Sequence, residues 1–164
     1  MFVSYTDEFW IRDGMTVKIP KKFRKIGDDV LRENMSYCNI APSSVFLHKS
    51  ILESIGNFDE SLEVCEDYDL WLRILMRYKI ALVDKKLIKK YAGHQDQLSF
   101  KHWGMDRFRV IALEKLLNDK NIDEKQEILI KNELLKKYRL LLKGAIKYER
   151  LEDIKKYEEK LTKF

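Results

Sequence analysis

Four acidic residues crowd the predicted start of a helix in the segment GNFDESLEVCEDYDLWLRI, residues 56–74. They are Glu63, Glu66, Asp67 and Asp69, and apolar residues follow them at once. Carboxylates this close raise each other's pKa, a pattern found more often at working sites than at helix caps. The cluster is therefore a candidate site at which a carboxylate faces a ligand.

A purely structural interpretation of the same cluster also has support. Acidic residues in the first turn of a helix complement its dipole and stabilise it by about 0.3–1 kcal/mol each. One or two acids are enough for that purpose, and here there are more. Gly56 and Asn57 open the loop that leads to the helix, which gives a ligand an approach. Both interpretations stay open on the residues alone.

The wider motif string resembles a known enzyme family. PSSVFLHKSILESIGNFDESLEVCEDYDLWLRI, residues 42–74, is similar to the acceptor-side half of a family 2 glycosyltransferase of the GT-A fold. That family has a PSS-V segment, then G-x-FDE-x-L, then a helix of type ED-x-DLW-x-R. YTDEFWIRDG, KKFRKIGDDV, AGHQDQLS and MDRFRVIALEKLL resemble a bacterial subgroup with a helical tail, so the likeness covers residues 4–117.

The resemblance implies roles for residues of the acidic helix. Asp67 matches the general base that deprotonates the acceptor hydroxyl, and Glu66 matches an acid that positions the acceptor or a loop. An inverting displacement at a sugar's anomeric carbon requires a carboxylate within hydrogen-bond reach of the attacking oxygen. Asp69 and Trp71 complete the substrate-side motif; we expect Asp69 to cap the helix or pair with Arg73, and Trp71 to pack beneath the site.

The resemblance also implies a donor-side loop and a metal. His94 matches a histidine near the metal and the diphosphate, and imidazole suits Mn²⁺. Gln95 and Gln97 belong to the same loop, which would close over the product nucleotide. Ser43 and Ser44 match the PSS segment and either line the acceptor pocket or cap a strand.

The sequence departs from the family on the donor side. A complete enzyme has a nucleotide-binding βαβ half and an Asp-x-Asp that holds the metal, and no segment here matches either. Asp7 and Glu8 are poor substitutes and are predicted to form a surface turn. We therefore expect the C-terminal half of an enzyme that uses Mn²⁺ or Mg²⁺ when intact, while this chain alone binds no metal and transfers little. The implied partners are a nucleotide-sugar donor and a glycan or lipid-linked acceptor.

Composition and charge limit the partners and the cellular location that we expect. The net charge is +5 and the pI is near 9.0, but Lys and Glu alternate along the chain, as on solvated helix faces. The start, MFVSYTDEFW, lacks the features of a signal peptide, and the two cysteines lack metal-ligand spacing. We expect a cytoplasmic protein, with contact at the inner face of the membrane left open.

A non-catalytic interaction module is the alternative function, acting through its helical tail and the basic loop KIPKKFRK, residues 18–25. The loop is expected to be exposed and interleaves cations with Phe23. No nucleic-acid-binding module accompanies it, so we expect no specific nucleic acid.

The predicted fold class is α+β, a partial GT-A fold, in two parts. Residues 1–99 should form a small mixed sheet with packed helices, and residues 100–164 a helical tail. Strands are expected at 2–6, on both sides of Asp13-Gly14, at SVFL, and in KIALVD and LIKKYAG, the last two joined by a turn near Lys85-Lys86. Helices are expected at 28–37, with Asp28 or Asp29 as the cap, from Ser50 or its neighbours to Gly56 in the C-cap position, and at 66–78. We also expect an exposed apolar sheet face, open to self-association.

Overall fold

A computed structural model describes residues 2–25, 27, 29–91, 93 and 101–164. The chain divides into two compact units, Met1–Trp103 and Gly104–Phe164. The predicted α+β class is confirmed: helices predominate, and the strands form one small mixed sheet. The predicted site residues His94, Gln95 and Gln97 lie outside the described residues.

The sheet of the first unit is built around one long central strand. Strand β1 pairs antiparallel with β2 and β3 at its two ends, and parallel with β4 along most of its length. Each strand has only two edges, so β2 and β3 must share the edge opposite β4. The bounds are β1 Val3–Arg12, β2 Met15–Val17, β3 Val45–Leu47 and β4 Ala81–Tyr91.

The predicted hairpin between β1 and β2 is confirmed. Asp13 and Gly14 have φ values of 50° and 75°, the left-handed backbone that tight hairpin turns require. The strand expected at 2–6 is not separate, because β1 runs unbroken into the hairpin.

The prediction of two strands around a turn near Lys85-Lys86 was wrong. Both residues lie within the single strand β4, where Lys86 pairs with Asp7 of β1. The pairing register shifts on both sides of Asp7, which marks a bulge and not a reversal of the chain. Parallel pairing with β1 resumes at Ile88 and continues to Tyr91, which keeps the strand extended past the irregularity.

The expected surface turn at Asp7-Glu8 is also absent, because both residues lie inside β1. The Glu8 side chain is buried and pairs with Lys25, whose Nζ lies 3.2 Å from Glu8 Oε2 and donates to Thr6 O at 2.7 Å. The basic loop is therefore not wholly exposed as predicted. One of its cations is used inside the fold.

Three helices complete the described part of the first unit. They are α1 Val30–Tyr37, α2 Lys49–Ile55 and α3 Glu66–Leu75, with short 3₁₀ turns at Lys21–Phe23 and Pro42–Ser44. Asp29 caps α1 and Gly56 follows α2 with φ 88°, both as predicted. The apolar face of α3 packs on β1 in the main core, whose buried members are Val3, Tyr5, Ile40, Ile51, Leu70, Trp71, Ile74 and Ile80.

The second unit consists of helices, as predicted for the tail. Its helices are α4 Asp106–Leu117, α5 Glu124–Lys147 and α6 Leu151–Thr162. A capping box formed by Asp123 and Gln126 starts α5. Buried apolar residues recur along each helix, among them Leu113 and Leu134. Among the described residues, no helix combines the length and the apolar character needed to cross a bilayer.

Candidate functional site

Asp67 is the second residue of α3, beside a helix start that has no side-chain cap. The N-cap residue is Cys65, and its side chain makes no capping hydrogen bond. The Asp67 Oδ1 accepts a hydrogen bond from the Tyr68 amide at 2.7 Å. Asp67 is thus not the N-cap, and its carboxyl group is held at one edge of the first turn, half-buried.

The pKa of Asp67 is raised, and burial is the largest cause. The Tyr68 amide opposes this by favouring the charged form, while the neighbouring charge of Glu66 raises the pKa further. A hydrogen bond from the Cys38 side chain and the positive charge of Lys90 act as weaker opposing influences. From the sequence, crowding among acids was expected to raise this pKa. Loss of hydration on burial is the larger effect.

Both cysteines of the chain flank Asp67 with left-handed backbone. Cys38, at the end of α1, has φ 54° and ψ 68°, and Cys65, at the start of α3, has φ 66° and ψ 22°. Residues other than glycine rarely adopt this conformation, and functional sites hold such strained positions more often than other regions do. The Tyr68 hydroxyl donates to Met35 O at 2.6 Å, which ties α3 to α1 and fixes the Cys38 thiol near Asp67.

Asp69 has a structural role. Its side chain is 1% exposed, and Oδ2 lies 2.8 Å from Arg73 Nε. Arg73 also donates to Ile55 O and to Asn57 O, each at 2.8 Å. The predicted pair between Asp69 and Arg73 is confirmed, and it ties α3 to the end of α2 and the loop after it.

The remaining predicted substrate-side residues in the described part are Trp71, Ser43 and Ser44. Trp71 is buried in the core, edge-on to Phe58 at 6.4 Å between ring centroids, as expected for packing beneath the site. Ser44 is buried, and its hydroxyl donates to Ala41 O at 2.7 Å, so it supports its own turn. Ser43 is exposed. Of the described residues, neither serine is among the groups that act on the Asp67 carboxyl.

The acid pair at the start of α3 does not suit a divalent metal. Asp67 and Glu66 share their surroundings with a thiol and the Lys90 ammonium, and a nearby cation disfavours Mn²⁺ or Mg²⁺. Within residues 2–25, 27, 29–91, 93 and 101–164, no three His, Cys, Asp or Glu side chains are grouped to hold a metal ion.

Sequence reasoning missed Cys38 and Lys90. Each is far from the ED motif in the chain. The contact between α1 and α3 brings Cys38 near Asp67, and the positive charge of Lys90, on β4, also acts on that carboxyl group. No periodicity or motif in the sequence signals either residue.

Comparison with known proteins adds no identification. No protein-family model, curated protein or solved structure matches the chain.

Proposed function

We propose that this chain is the acceptor-side half of an inverting, nucleotide-sugar-dependent glycosyltransferase, with Asp67 as its general base. The motif string around the ED pair supports the family, and the surroundings of Asp67 support the role. No segment of this chain resembles the donor-binding half that such an enzyme also has.

The observation that carries the proposal is the balance of influences on Asp67. A base must be ionised to accept a proton, yet it must also hold that proton once it is transferred. The Tyr68 amide, the Cys38 thiol and Lys90 favour the charged carboxylate, while burial and Glu66 favour the protonated form. Groups of both kinds act on this one carboxyl group, as the role of a general base requires.

The chemistry follows from that balance. The acceptor hydroxyl donates its hydrogen bond to an Asp67 carboxylate oxygen, and the proton moves to that oxygen as the hydroxyl oxygen bonds to the anomeric carbon. The bond from that carbon to the nucleoside diphosphate breaks at the same time. A divalent metal held by the donor-binding half would neutralise the departing diphosphate.

The stereochemistry of the product tests the proposal. The assay uses an enzyme that contains both this chain and a donor-binding half, a set of α-linked nucleotide sugars, and proton NMR of the new glycosidic bond. We expect a β-linked product, because direct attack by a hydroxyl inverts the anomeric carbon. A product with retained configuration, or no transfer from any donor, would rule the proposal out.

A further inference from the structure

Three aromatic rings form a continuous row on the first unit. The Trp10 and Phe23 ring centroids lie 5.4 Å apart, and those of Phe23 and Tyr37 lie 6.0 Å apart. The rings come from β1, the basic loop and the last turn of α1. Tyr37 is 42% exposed, and the other two are partly exposed. The row therefore presents ring surface to solvent.

A lysine stands at each end of this row. Lys22 Nζ lies 5.0 Å from the Phe23 ring centroid and 5.6 Å from that of Tyr37, and Lys90 Nζ lies 5.5 Å from that of Trp10. Both lysines are exposed, and neither forms an ion pair with any described residue within 4 Å. We call these five residues the aromatic surface.

Each end of the aromatic surface has a link to Asp67. Tyr37 is followed directly by Cys38, whose side chain hydrogen-bonds to Asp67. At the other end, the Lys90 charge acts on Asp67 while its ammonium lies over the Trp10 ring. The aromatic surface thus lies in the same unit as Asp67 and shares Lys90 with it.

We propose that the aromatic surface binds a saccharide that carries an acidic group, and that this saccharide is the acceptor. Aromatic faces take the apolar C–H faces of pyranose rings, as they take other apolar groups, without requiring a particular sugar. Among the described residues, Lys22 and Lys90 have no ion-pair partner within 4 Å, so a carboxylate or phosphate on the ligand would pair with them. Naming the ligand as the acceptor rests on the proposed function; the binding site itself does not.

The probe is trigalacturonic acid, compared with the neutral trisaccharide maltotriose. Binding to the full chain is followed by calorimetry at low salt, with no donor present. We expect trigalacturonic acid to bind at least about tenfold more tightly than maltotriose, because two lysines face its carboxylates. Equal affinity for the two trisaccharides, or no binding of either, would overturn the proposal.

Variants locate the site. Tyr37→Leu and Lys22→Gln should each weaken trigalacturonic acid binding by about threefold to tenfold. Phe46→Leu, at a side chain 81% exposed on β3, and Lys85→Gln are the matched controls and should have no effect. Trp10→Leu is informative only if circular dichroism shows a folded chain, since the Trp10 Nε1 donates to buried Glu8 at 2.7 Å. Losses equal to those of the controls would contradict the assignment.

Two further measurements distinguish a saccharide site from a nucleic-acid site and separate saccharide binding from catalysis. Single-stranded nucleic acid also stacks on aromatic rings beside cations, so oligouridylate is titrated in parallel. Tighter binding of oligouridylate than of trigalacturonic acid would reject a saccharide site. Asp67→Asn should keep trigalacturonic acid binding within about threefold of the parent chain, since the base is needed for transfer and not for affinity. If the chain does not bind trigalacturonic acid but sugar transfer still depends on Asp67, the inference about the aromatic surface is wrong and the proposed function stands.

Discussion

The side chain of Cys38 donates a hydrogen bond to the carboxylate of Asp67, across the contact between the end of α1 and the start of α3. The bond favours the charged carboxylate and works against the burial that raises the pKa of Asp67. Cys38 is thus a positioning residue in this account, acting on the base and not on the substrate.

Removing the Cys38 donor should change the titration of Asp67. Cys38→Ala should raise the pKa of Asp67 above that of the parent chain, because the charged form loses a hydrogen bond. Cys38→Ser keeps a donor and should leave that pKa nearer the parent value. Carbon-13 NMR of the Asp67 carboxyl group across the acid range measures both. Identical titrations for the alanine and serine variants would show that the thiol does not act on Asp67.

The raised pKa of Asp67 also predicts a pH-dependent stability. A carboxyl group whose pKa is higher in the folded chain than its ordinary 3.8 favours folding at low pH, and that contribution is lost as pH rises through the folded pKa. Asp67→Asn cannot lose a proton, so the variant should be at least as stable as the parent chain at neutral pH. The difference should vanish below the ordinary pKa. Thermal midpoints of both proteins across the acid range test this; a variant much less stable at neutral pH would contradict it.

Asp69 should behave differently, although it stands in the same motif. Asp69→Asn leaves the Arg73 guanidinium without its carboxylate in a largely buried pair, which should lower the free energy of unfolding by about 3 kcal/mol. The matched control is Glu53→Gln, which removes the exposed pair with Lys49 and should cost no more than about 0.5 kcal/mol. Denaturant unfolding of both variants provides the comparison. Equal, small losses would show that the Asp69 pair is not structural.

The buried pair in the sheet gives a further prediction. The Glu8 and Lys25 side chains are only 5% and 2% exposed, so Glu8→Gln would leave the Lys25 charge buried and unmatched. We expect a loss of about 3–5 kcal/mol in the free energy of unfolding. Lys18→Gln, in the same basic loop but outside this pair, is the control and should be nearly neutral. A mild Glu8→Gln variant would return the whole loop to the surface role predicted from the sequence.

Local signals in the sequence predicted local structure well. Asp13-Gly14 specifies a left-handed turn, Asp29 supplies a cap for α1, and Gly56 ends α2, because each depends only on a few neighbouring residues. The pairing of Asp69 with Arg73 could also be predicted, since residues four apart share one face of a helix.

Contacts between distant segments could not be predicted from the sequence. Asp7 and Glu8 look like surface residues until Lys25 is placed beside them, and Lys85-Lys86 looks like a turn until β4 is paired with β1. The site follows the same rule. Asp67 stands out in a motif, whereas Cys38 and Lys90 act on it only in the folded chain.

Turnover by Asp67→Asn is the decisive test of the general-base role of Asp67. The measurement is the rate of sugar transfer by an enzyme containing this chain and a donor-binding half, with Asp69→Asn and nucleotide affinity measured alongside. Asparagine keeps the shape and the hydrogen bond from the Tyr68 amide but cannot take the proton. We predict that the rate falls by about 10²–10⁴-fold while nucleotide affinity stays unchanged. A rate within a few-fold of the parent enzyme would contradict the account and return the acidic cluster to a helix-stabilising role.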